Sequence, residues 1–278
     1  MAHQTPIARW VLNNRDRLRP SFIRYDWPDR YFSGVTDFAA KISFGGIEAI
    51  GRGIDFDQDL ALEKAAAEAV ERYICKMLNL DSVGVAISGE AGSVSHAEHE
   101  AIERHIFNEH LRLNLPFEKI DDRSTGSPAL REIQNEFDRH NKHEGQLSFY
   151  RMATASPYRG YVAIICIGEK PRFLGLSLHT NSRSALFRSF FEAMTNFARF
   201  RDAPEALESE RRLEPDAWNC DPAFLARVIA QVGTTAEPSE SIPIPQLETV
   251  AIDISQIAAL KGCPIKPVKA FTRKTASP

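Results

Sequence analysis

Two stretches of this chain spell nearly the same word, each inside a long run without glycine or proline. Glu68-Ala69-Val70-Glu71-Arg72-Tyr73 is echoed, 32 residues after Glu68, by Glu100-Ala101-Ile102-Glu103-Arg104-His105. Helix positions three and four apart share a face, so each word lays two carboxylates and a guanidinium along one stripe. A fold that sets the stripes against each other gathers four acids, which cannot all stay ionised at close range unless cations neutralise them. Two readings are open at this point. One is a pair of exposed helices laced by Glu–Arg pairs worth about 0.3 kcal/mol each. The other is a metal site, where oxygen donors without thiols favour Mg2+ over Zn2+ and Mg2+ arrives with a phosphate-bearing ligand. The arginines would then brace the carboxylates or fork onto phosphate oxygens.

The run 57–80 opens on aspartates suited to the positive helix end and continues through alanines, which predicts a long helix. Further helices are expected over 93–113, 128–140, 184–200 and 222–232. Strand composition marks 38–50, interrupted at Gly45-Gly46 by a hairpin or bulge, then 82–88, 116–121, 147–153, 161–167, 173–178 and 247–254. Strands mixed with long helices, without strict alternation, predict an α+β domain. On the 184–200 helix, Glu192 and Asn196 share a face, where an amide can read a base edge or complete a ligand shell. Residues 1–35 read differently. Six arginines (Arg9, Arg15, Arg17, Arg19, Arg24 and Arg30) stand among prolines and tryptophans with little periodicity. An irregular Arg-rich arm that packs on the body or on a partner is expected there, ahead of one domain over 36–278.

Composition narrows the function. With 43% hydrophobic residues over 278 positions the chain can bury a core without staples. A net charge of −3 argues against a protein that coats nucleic acid or anionic lipid. No apolar run approaches the roughly 20 residues that span a bilayer, and the first residues lack a signal-peptide core. Four scattered cysteines form no CxxC pair, so reduced thiols and a cytoplasmic location are expected. Residues 46–53 have the glycine spacing of a P-loop, but Arg52 and Gly53 replace its Lys and Ser/Thr. That turn can still bring backbone amides and one cation to a phosphate. The pairs His96/His99 and His140/His143 lack partners in a metal-ligand order, and no G-x-S-x-G elbow is present.

Taken in order, Gly51-Arg52-Gly53-Ile54-Asp55, the helix word through Tyr73, the second Glu100-x-x-Glu103-Arg104 and the third-helix Glu192 resemble the YcaO family. The resemblance runs over residues 36–271, and 247–269 is similar to the family's closing strands. It implies long carboxylate-bearing helices packed on mixed or antiparallel sheets, binding ATP and Mg2+ without a P-loop. Characterised members activate a peptide-bond amide by phosphorylating its oxygen. A Cys, Ser or Thr side chain then gives an azoline, a sulfide source a thioamide, and an amine an amidine. Carried over residue by residue, the resemblance implies Glu68, Glu71, Glu100 and Glu103 as Mg2+ ligands. It implies Arg52, Glu68, Arg72, Arg104, Glu192 and Asn196 as ATP contacts, with Ser88 and Glu90 from the loop 84–92.

Asn196 stands where the family's glutamine is usual, and Arg52 where lysine is common. The chain ends without the alternating proline tail of many azoline-forming members, and without a fused substrate-recruiting domain. A precursor peptide and a separate leader-binding or TfuA-like partner are therefore expected, and a homodimer is compatible. The rival expectation is a non-catalytic nucleotide-binding or scaffolding subunit of a peptide-modification complex.

Overall fold

The computed structural model describes residues 6–80, 85–86, 92–121, 125–141, 145–168, 170–202, 228, 241–265 and 267–272. They divide into two units, Met1–Ile102 with Pro245–Pro278 and Glu103–Ile244. Helices and antiparallel strands are both present among the described residues, and the class is α+β.

The first unit opens with α1 (Pro6–Asn13), α2 (Arg15–Leu18), β1 (Ser21–Tyr25) and α3 (Trp27–Tyr31). The stretch expected to be irregular is thus built into the unit. Ile7, Val11 and Leu18 are buried. The Glu63 carboxylate accepts from Ile7 N (3.1 Å) and Ala8 N (2.8 Å), satisfying amides that a helix start leaves open. The many arginines obscured the four-residue spacing of Ile7 and Val11.

Next come β2 (Thr36–Phe44) and β3 (Ile47–Asp55), which with β1 form an antiparallel sheet in the order β1-β2-β3. Gly45 and Gly46 both take positive φ (61° and 82°), as a two-residue hairpin turn requires, and Phe44 therefore pairs with Ile47. The helix α4 (Gln58–Leu78) lies across this sheet. Asp57 caps it by accepting from Asp59 N (2.8 Å) and Leu60 N (3.1 Å), and Asn79 closes it in the left-handed conformation. Half of its buried residues are alanines, and these meet glycines on β3. A Cβ on Gly51 would stand 2.0 Å from Ala69 N, and one on Gly53 1.9 Å from Ala61 O. Helix and strand touch backbone to backbone. A second antiparallel sheet orders β4 (Val85–Ala86), β10 (Val268–Thr272) and β9 (Leu247–Ala251) as β4-β10-β9. Of the strand expected over 82–88 only β4 lies within the described residues. The short helix expected over 222–232 lies outside them except for residue 228.

The helix α5 (Gly92–Arg112) leads into the second unit, which holds β5 (Glu118–Ile120), α6 (Pro128–Asn141), β6 (Gln146–Arg151), β7 (Arg159–Ile167), β8 (Lys170–His179) and α7 (Ser182–Asp202). Its sheet is an antiparallel meander, β5-β6-β7-β8. One face buries Val162, Ile164, Leu174 and Leu176 with Phe107 of α5. The helix α7 packs on β7 and β8, and its Phe197 ring meets those of Phe137 (6.1 Å) and Phe173 (5.9 Å).

A constant spacing links the internal design of the two units. Gln58 and Ser182 begin helices of 21 residues each and lie 124 positions apart, as do Gly51 and Gly175. A Cβ on Gly175 would stand 1.9 Å from Ser189 O and 2.5 Å from Ala193 N. The matching contacts of Gly51 are with Ala65 O and Ala69 N, again 124 positions earlier. The verbal echo in the sequence joins α4 to α5; the architectural repeat joins α4 to α7.

His110, fully buried on α5, stacks on Phe117 with ring centroids 4.3 Å apart, and its Nε2 accepts from Ala153 N (3.1 Å). Burial pushes its pKa down to about 4. An unfolded imidazole titrates near 6.5, so the unfolded chain binds the extra proton between these values. The contribution is complete above pH 6.5 and lost as pH falls to 4, about 3 kcal/mol in all. Urea midpoints should fall from pH 7 to pH 4.5, and His110→Gln should flatten that slope. An unchanged slope in the variant would exclude His110 as its source.

Candidate active site

The acids of α4 stand where β3 ends its sheet. An outermost strand leaves every second amide without a strand partner, and Arg52 N is one of them. It donates to Glu68 Oε2 (2.6 Å), while Glu68 Oε1 pairs with Arg72 at 2.7 Å. Glu68 is thereby fixed from two sides. Glu71, one turn on, is pushed well above the usual carboxylate range, first by burial and then by the charges of Glu100 and Glu68, with Arg72 opposing. Within the first unit, Glu71 thus feels the charges of both Glu68 and Glu100.

Arg52 itself is held in a cage. Its Nε donates to Asp37 Oδ1 (3.0 Å), its Nη2 donates to Asp37 Oδ2, and its guanidinium carbon lies 4.5 Å from the Tyr25 ring centre. Asp37 is fully buried and also accepts from Trp27 Nε1. Asp37, Trp27 and Tyr25 escaped the sequence reading, though a signal existed. The Gly45-Gly46 turn fixes Ala39 opposite Arg52, which puts Asp37 diagonally across on the same face.

In the second unit β8 is the outermost strand, and its Leu176 and Leu178 amides point off the sheet. Leu176 N donates to Glu192 Oε2 (2.7 Å) and Leu178 N to Glu103 Oε2 (2.8 Å). The pair Leu176/Glu192 repeats Arg52/Glu68 at the same 124-residue spacing. Asn196 is buried one turn beyond Glu192, next to Thr195, whose buried hydroxyl has no hydrogen-bond partner. The same unit has a cavity of about 350 Å3 lined by Glu118, Thr125, Ser127, Arg151 and Tyr161. Its polar groups already serve one another or nearby backbone. Arg151 Nε donates to Glu118 (2.8 Å), Tyr161 shares a hydrogen bond with Ser182 (2.8 Å), and Thr125 donates to Asp121 O (2.7 Å).

No family model and no curated protein matches the sequence. Solved structures do. The structure of YcaO from Methanopyrus kandleri bound with AMPPCP and Mg2+ superposes with a TM-score of 0.62 at 10% identity, over 95% of this chain and 89% of that one. A heterocyclase in complex with substrate and cofactor gives a TM-score of 0.65 at 14% identity, over 98% of this chain. The chain spans about half of that protein (52%). This is the YcaO fold.

Within the YcaO fold the expected site residues fall into two sets, Arg52, Glu68, Glu71, Arg72 and Glu100 in the first unit, and Glu103, Arg104, Glu192 and Asn196 in the second. Ser88 and Glu90 lie outside the described residues. Among the described residues no three His, Cys, Asp or Glu side chains are arranged to hold a metal ion by themselves. No ready-made three-ligand shell is present among the described residues; Glu68 and Glu103, each within its own unit, have one oxygen bound to a strand amide. Mg2+ does not need such a shell. It commonly takes one or two carboxylates and completes its octahedron with water and phosphate oxygens. Among the described residues no helix is long and apolar enough to cross a membrane.

Proposed function

We propose that the chain uses ATP and Mg2+ to activate a backbone amide in a ribosomally made peptide, with a separate leader-binding or TfuA-like protein delivering the substrate. Attack by a side-chain nucleophile would give an azoline, and attack by a sulfide donor a thioamide. The observation that carries this reading is the acid cluster Glu68, Glu71 and Glu100, one member of which resists ionisation, beside a caged arginine. Such a cluster suits a divalent cation and the arginine suits a phosphate. Bound Mg2+–ATP would supply the phosphoryl group that turns an amide oxygen into a leaving group. Glu68 is oriented by the Arg52 amide, Glu71 and Glu100 add charge to the same cluster, and Asn196 offers a buried amide for recognition. The fold shared with a YcaO bound to AMPPCP and Mg2+ supports the same reading.

The chain should bind ATP only when Mg2+ is present, as read by calorimetry with and without EDTA. It should release phosphate once precursor peptide and partner are both supplied. Equal ATP binding in EDTA would defeat the metal site. Mg2+-dependent binding without phosphate release in the complete mixture would favour the scaffolding subunit.

A further inference from the structure

Resting on the nucleotide reading, we infer that Asp37, Trp27 and Tyr25 position the Arg52 guanidinium so that Nη1 alone is presented to a phosphate oxygen. Arg52 is 16% exposed and Asp37 not at all. Two of the three guanidinium nitrogens are committed to the Asp37 carboxylate, and the indole N–H of Trp27 fixes that carboxylate in turn. The Tyr25 ring supports the flat face of the fork at 4.5 Å. The third nitrogen, Nη1, is buried and has no hydrogen-bond partner. A buried charged donor left unmade is costly, and this one belongs to a residue whose own amide is bound to Glu68 in the acid cluster.

The arrangement needs arginine. A planar fork can give two nitrogens to a carboxylate and still turn a third, in a fixed direction, to another acceptor. A lysine here would have a single ammonium group to share between Asp37 and a ligand. The cage therefore sacrifices field strength, since Asp37 neutralises the charge, and gains direction.

The test compares Mg2+–ATP with adenosine, which lacks phosphates. Arg52→Lys should raise the Mg2+–ATP dissociation constant about tenfold and leave adenosine unchanged. Asp37→Asn should raise it about fivefold in the native background and add nothing once Arg52 is lysine, because a positioning residue acts only through its target. Thermal unfolding monitors the fold throughout. Should Asp37→Asn not fold, Tyr25→Leu removes the ring and leaves the ion pair; an approximately threefold loss confined to Mg2+–ATP is expected. Parallel losses for both ligands, or equal or tighter Mg2+–ATP binding in Arg52→Lys, would overturn this inference while leaving the nucleotide reading intact. A native chain that binds neither ligand would defeat that reading, and this inference with it.

Discussion

Glu71→Gln should make the ligand-free protein more stable and its nucleotide chemistry at least about 100-fold weaker. The two effects have one cause. In the apo protein Glu71 is half-buried and faces the charges of Glu100 and Glu68, with Arg72 as partial compensation. Glutamine keeps the shape and removes the desolvation cost of the charged form and the repulsion. The melting temperature should rise by about 2–4 °C. The same acid is the group a cation would need, so Mg2+-dependent ATP binding and phosphate release should collapse together. Calorimetric titration and thermal scans on one preparation decide the matter. A variant that loses stability and keeps Mg2+-dependent binding would make Glu71 a structural acid.

Alanine at Gly175 should cost at least about 3 kcal/mol, and alanine at Gly51 a similar amount. Each Cβ would sit within 2.0 Å of helix backbone, Ser189 O for Gly175 and Ala69 N for Gly51. Backbone cannot turn aside as a flexible side chain can, so the helix must lift away from the strand. Lifting also breaks the hydrogen bond from Leu176 N to Glu192, or from Arg52 N to Glu68. Denaturant midpoints and expression yields would show the loss. A change under about 1 kcal/mol would mean that the helices do not lie as close as described.

Much of this was legible because its physical causes are local. Asp57 with the alanine run fixed α4 to within two residues at each end, and Gly45-Gly46 marked an interruption, hairpin or bulge, that is the turn between β2 and β3. The acids of each helix word were legible as one stripe because helix periodicity puts positions three and four apart on one face. The arm over 1–35 packs on the body, one of its two expected settings, but its regular elements were hidden, since they depend on Glu63 capping α1 and on β1 pairing with β2, both contacts with later sequence. The second partner of each acid was also hidden. Glu192 binding to Leu176 N depends on β8 being outermost in its sheet, which follows from topology and not from any neighbouring residue. Asp37 was hidden for a related reason, as an acid inside a strand is legible only once its cross-strand neighbour is known.

The 124-residue spacing gives this molecule two castings of one mould, and they have not aged alike. The glycine, the clamping glutamate and the small residue after it are the same in both, Gly51, Glu68 and Ala69 against Gly175, Glu192 and Ala193. Where α4 then carries Glu71 and Arg72, α7 carries Thr195 and Asn196. Shape has been kept in duplicate while charge survives in a single copy. A lesion that removes Glu71 or Arg72 therefore has no counterpart at the matching positions of α7, whereas the scaffold that displays them is written twice.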